Sequence, residues 1–184
     1  MKFSIPLLVF SVCLIFTSSL LAKEPWYLRE VFNGSDHKPK AHQFSGSGEL
    51  FDCGLEVQEL CSDEVRYYNL PVYLVLTVRE EVVDEVTFTM DFSPYNLSQL
   101  QLNLRKDGFW LSKISYGGNT FDVRREIEAR PTEIAEVDKS LIEFINARPS
   151  DTAVHSRWRY KKALSPRLEL VSDGQEIRLT LVRD

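Results

Sequence analysis

Histidine is scarce in this 184-residue chain, with His37, His42 and His155 the only three. None sits in a His-Glu-x-x-His pattern, and zinc sites draw on three or four well-spaced ligands. A Gly-x-Gly-x-x-Gly turn, a phosphate loop ending in Gly-Lys-Ser/Thr and a Gly-x-Ser-x-Gly nucleophile turn are missing as well. The expectation is therefore a protein with no catalytic residues, no metal and no cofactor. Positive charge is in short supply too: 22 Lys+Arg stand against 27 Asp+Glu, a net −5. A nucleic-acid surface needs clustered cations to release phosphate counterions, so no nucleic-acid partner is expected. With 43% hydrophobic and 27% charged residues, the composition is that of one globular domain rather than a disordered chain.

Long apolar runs are absent after residue 22, and the one before it has a different character. Lys2 is followed by a run from Phe3 to Phe16, then Thr17, Ser18 and Ser19, and Ala22 precedes Lys23. One positive charge, an apolar stretch and a small residue at the boundary make a secretory signal peptide over residues 1–22. A retained anchor is the competing reading, since about 20 apolar residues span a bilayer; the Thr-Ser-Ser interruption favours cleavage. Residues 23–184 are then a single exported domain, periplasmic or secreted, with no stable membrane span.

Cysteine is equally sparse. Only Cys53 and Cys61 remain outside the leader, and an even count in an exported chain points to a disulfide. Eight residues of strand would place their Cα atoms roughly 26 Å apart, and eight of helix about 12 Å. A disulfide needs less than about 7 Å. The segment between them must therefore double back as a stapled loop.

What is present is strand alternation. Val72, Leu74, Leu76 and Val78 alternate with Tyr73, Val75, Thr77 and Arg79, and Val86, Phe88, Met90 and Phe92 repeat the pattern. Period-two alternation rich in branched and aromatic residues marks half-buried antiparallel strands. Leu100, Leu102 and Leu104 alternate as well, leading through Lys106-Asp107-Gly108 to a return strand from Phe109 to Tyr116. A short strand is expected at 121–125, an extended segment at 153–162, and a hairpin pairing Leu168 and Leu170 with Ile177, Leu179 and Leu181 across Asp173-Gly174. A first strand is expected near 42–52. Ile134, Val137, Leu141, Phe144 and Ile145 recur at spacings of three and four, predicting one helix over about 132–148 with Thr132 as its cap. The fold class is α+β and mostly antiparallel β: eight or nine strands in a strongly curved sheet or small barrel, with that helix packed on it.

Two clusters carry the functional expectations. Ser156-Arg157-Trp158-Arg159-Tyr160-Lys161-Lys162 is the single basic run in an acidic protein. Arg, Trp and Tyr are enriched in binding hot spots, so Arg157, Trp158, Arg159 and Tyr160 are the expected partner contacts. Strand alternation offers the plainer reading, with Trp158 and Tyr160 in the core and the cations in water. Phe88, Met90, Phe92, Trp110 and Tyr116 would line a ligand cavity if the sheet closed around one. Acidic pairs such as Glu80 and Glu81, or Asp84 and Glu85, are abundant, but a two-carboxylate hydrolase needs one pair singled out.

The expected function is a non-enzymatic exported protein-binding module: an inhibitor, immunity factor or accessory subunit acting on another envelope or secreted protein. The acidic surface would steer it toward a basic partner. The alternatives are a small apolar-ligand carrier or sensor domain of barrel type, and an envelope hydrolase using paired carboxylates.

Overall fold

The computed structural model describes residues 27–28, 38–44, 46, 48–149, 152–160 and 166–183. The expected leader over 1–22, and with it His37, Lys161 and Lys162, lies outside the described residues. Ten strands follow one another as β1 Leu50–Asp52, β2 Glu59–Ser62, β3 Val65–Tyr67, β4 Leu70–Arg79, β5 Val82–Asp91, β6 Phe109–Tyr116, β7 Asn119–Asp122, β8 Val154–Tyr160, β9 Arg167–Ser172 and β10 Glu176–Val182. Among the described residues, three helices lie between them: α1 Pro94–Lys106, α2 Val123–Ala129 and α3 Ile134–Asn146.

The strands form one antiparallel sheet in the order β1-β2-β4-β5-β10-β9-β8-β6-β7, with β3 pairing the start of β4. The sheet has two edges, β1 and β7, and does not close into a barrel. The first five strands run as a meander. Helix α1 then carries the chain across to β6, and β8, β9 and β10 return through the gap to meet β5.

Alternation assigns the core. Leu70, Val72, Leu74, Leu76 and Val78 of β4 are buried, as are Val86, Phe88 and Met90 of β5 and Ile177, Leu179 and Leu181 of β10. Leu97, Leu100 and Leu104 of α1 cover them, and Tyr27, Leu28, Ala41 and Phe44 join the same cluster. Burial and the nearby Glu49 carboxylate push the Tyr27 phenol up to about 12. The folded state thus holds that proton above the ordinary value of 10.0. This contribution to stability is complete below pH 10 and lost as pH rises toward 12. Ultraviolet titration should show a late phenol that is lost in Tyr27→Phe and on unfolding in urea; a titration unchanged by Tyr27→Phe above pH 10 would contradict it.

Four sequence expectations change. Leu100 to Leu104 is helix, not strand. The Ser93 Oγ accepts the Asn96 N–H at 2.9 Å, Pro94 opens the first turn, and Leu97, Leu100 and Leu104 share one face at spacings of three and four. Leu100 and Leu104 fit both periods; Leu102, the residue that only a strand would bury with them, is 44% exposed. Gly108 accordingly ends a helix rather than turning a hairpin: at φ +91 its N–H bonds the Arg105 carbonyl, and a Cβ there would lie 3.2 Å from the Tyr160 ring. The 121–125 strand stops at Asp122, whose carboxylate accepts the Arg125 N–H and starts α2. Near 42–52 the chain makes a 3-10 turn at Ala41–Gln43 and pairs only from Leu50. Helix α3 is capped at Glu133 without a side-chain bond, not at Thr132, and only Val137 of its stripe is fully buried.

The β4–β5 hairpin turns through Glu80 at φ 51 and Glu81 at φ 65. A two-residue hairpin loop with both φ positive normally uses Asn and Gly, and an L residue in this region costs about 1–2 kcal/mol. The N-terminal segment holds the turn in place: Ala41 N–H donates to the Glu81 carbonyl, Val83 N–H to the Pro39 carbonyl, and Lys38 pairs with Asp84. The lysine bond keeps the Asp84 carboxyl below its usual range. Glu80→Asn with Glu81→Gly should stabilise the protein by about 1 kcal/mol or more in urea unfolding; unchanged stability would show that the turn stores no strain.

Candidate binding face

Among the described residues, one face of the sheet is covered by the core, the helices and the N-terminal segment, and none covers the other, the open face. Because side chains alternate, the open-face residues line up in rows across the strands. One row reads Glu59, Thr77, Glu85, Val182, Arg167, Arg159 and Trp110 from β2 to β6. The next reads Cys61, Val75, Thr87, Thr180, Glu169, Arg157 and Lys113. A third reads Tyr73, Thr89, Arg178, Val171, His155 and Ser115.

These rows segregate charge. The β2–β5 end carries Glu59 and Glu85, and the β9–β6 end carries Arg167, Arg159, Arg157 and Lys113. Glu169 is the exception: its carboxylate lies 3.3 Å from Arg157 Nε and 3.7 Å from His155 Nε2. Between the ends lies a broad depression of about 630 Å³ floored by threonines, with Thr77, Thr87, Thr89 and Thr180 among its lining. At the basic end a recess of about 90 Å³ is lined by Lys113, Ser115, His155 and Arg157. Tyr73 and Val171 stand 53% and 46% exposed on the same face.

The disulfide closes the acidic end. Cys53 and Cys61 are bonded with Cα atoms 5.9 Å apart, and Phe51 sits opposite Cys61 in the β1–β2 hairpin, so the segment doubles back as its length demanded. The Cys53 N–H donates to the Glu59 carbonyl at 3.0 Å.

The expected contact residues divide by alternation. Arg157 is exposed on the open face and Arg159 is half-buried there. Trp158 is 0% exposed, its indole N–H donating to Ser156 Oγ at 3.0 Å, and Tyr160 packs edge-on against Phe109. Of the expected cavity residues, all but Trp110 belong to or pack against the one packed core. Phe88 and Met90 are closed within the core and Phe92 packs partly buried beside it. Tyr116 donates its hydroxyl to the Phe144 carbonyl at 2.6 Å. Trp110 lies on the opposite face, between buried Phe109 and Leu111.

Among the described residues no Asp or Glu is buried. The displaced carboxyls, Asp84 and Asp173, both move down, the latter through the backbone N–H groups of Glu176 and Gln175. A general acid needs the opposite shift. No group of three or more His, Cys, Asp or Glu there is placed to hold a metal ion, and no helix there is long and apolar enough to cross a membrane.

Lys113, Ser115 and His155 carried no sequence signal as a group. They meet because β6 pairs with β8, which β7 and two helices separate in the chain. Comparison with protein-family models, curated proteins and solved structures finds no match to this chain.

Proposed function

We propose that this chain is an exported, non-enzymatic protein-binding module that docks through the open face of its sheet. An inhibitor, an immunity factor or an accessory subunit of another envelope protein fits this description. The observation that carries it is the seven-strand face that no described residue covers, with opposite charge at its two ends, which complements a partner of the reverse polarity. The leader composition and the disulfide favour an oxidising compartment. Arg157 and Arg159 remain in the contact set; Trp158, buried, acts only by holding β8 in place.

The test is retention from the native envelope extract. Wild type should hold a defined protein, and Thr87→Arg with Thr180→Arg, which plants two bulky cations at the centre of the face, should lose it at least tenfold while the circular dichroism is unchanged. Equal retention by both proteins would remove the open face from the account.

A further inference from the structure

The stapled hairpin does more than close an edge. Its tip, Gly54-Leu55-Glu56-Val57-Gln58, projects from the acidic end of the open face. Leu55 is 101% exposed, and Phe51 and Val57 are about half exposed beside it. A monomeric fold gains nothing from an apolar group held entirely in water, and the same short hairpin also exposes Phe51 and Val57.

The tip is rigidly built. The disulfide and the Cys53 N–H bond to the Glu59 carbonyl close its base. The Gly54 N–H donates to the Asp52 carboxylate at 3.2 Å. A Cβ on Gly54 would lie 1.9 Å from the Val57 carbonyl oxygen, so the bend admits glycine alone. Rigidity of this kind removes the ordering cost that a free loop pays on binding.

Its surroundings set the partner's chemistry. Residues 51–65 contain Asp52, Glu56, Glu59, Asp63 and Glu64 and no Lys or Arg. Of these, Asp52, Glu56 and Glu59 flank the tip, whereas Asp63 and Glu64 follow the far end of β2; carboxylates so placed are repelled by anionic lipid headgroups, which disfavours an anionic membrane surface. The tip complements a protein pocket that is apolar at its floor and basic at its rim. This chain's own basic recess, lined by Lys113, Ser115, His155 and Arg157, has no apolar floor and is not such a pocket.

We infer that Leu55, presented by the Cys53–Cys61 clasp, is the anchor that enters an apolar, basic-rimmed pocket of the partner protein. The inference rests on the protein-binding reading above and names the contact that reading lacks.

The experiment is photocrosslinking of the full chain in its native envelope, with Leu55→p-benzoylphenylalanine, the same residue at Val171 on the open face, and a control at Ile142 on α3. Positions 55 and 171 should both attach to one protein, and position 142 should not. Adding Leu55→Asp should cut the yield at position 171 at least tenfold, whereas Leu55→Met should preserve it. Attachment at 171 without 55 would overturn the anchor and leave the binding module standing. No attachment at either position would sink both. An adduct of twice the chain's mass would mean a second copy and would overturn the assignment.

Discussion

Trp158→Ala should destabilise the protein by about 3–5 kcal/mol, the range for deleting a large buried aromatic. For a chain of this size that is a fall in melting temperature of roughly 6–20 °C. Trp158 is fully enclosed, its indole N–H satisfied by Ser156, and it lies between Leu111 and Leu168 in register, so truncation opens a cavity that β6 and β9 cannot fill without breaking their ladders. Arg157→Ala, one residue away, should change stability by no more than about 0.5 kcal/mol, because its ion pair with Glu169 is exposed to solvent. The contrast separates core from contact surface within two adjacent residues. Equal small effects would mean that Trp158 is not a core residue.

Removing the clasp should have the next largest effect. Cys53→Ala with Cys61→Ala frees a short loop, and the chain-entropy model gives a loss of about 2–3 kcal/mol. The bond fastens β1 to β2 at a sheet edge rather than through the core, so the loss should concentrate there. Amide exchange should accelerate first in Leu50–Asp52 and Glu59–Ser62, with Glu176–Val182 at the sheet centre slowed or quickened only through global unfolding. Unchanged stability and unchanged exchange would show that strand pairing alone holds the edge.

The sequence made some of this legible and concealed the rest for physical reasons. The β4–β5 and β9–β10 hairpins were readable because each strand is half-buried, which enforces strict alternation. The clasp was readable because chain geometry left no other way to bring Cys53 and Cys61 together. Helix α1 was misread because Leu100 and Leu104 satisfy a period of two and a turn of helix alike; Ser93 followed by Pro94 was the signal that decides it. Helix α3 shows the reverse. Its apolar stripe was the clearest helical pattern in the chain, yet Ile134 stays exposed and Leu141, Phe144 and Ile145 pack only partly buried against the core. Local pattern specifies an element's period and leaves the depth of its burial to the surrounding topology.

The candidate face was the least legible part. Alternation placed Arg157 and Trp158 on opposite sides of a strand, with the core the plainer side for Trp158, and left open what shares the other side with Arg157. The rows that gather Glu59 and Glu85 at one end and Arg157, Arg159 and Lys113 at the other depend on β10 slotting between β5 and β9, a pairing of distant segments that no local window contains. Glu80 and Glu81 in positive-φ positions were hidden for a similar reason: the N-terminal segment that holds their turn joins it only in three dimensions.

Hydroxyl-radical footprinting of the chain with and without its captured partner tests the central claim most directly. Leu55, Tyr73 and Val171 should be shielded in the complex, while Tyr95 and Ile142, exposed on the helical side, should oxidise at their free rates. Shielding of Tyr95 and Ile142 with Tyr73 and Val171 left open would place the partner on the wrong side of the sheet and contradict the account.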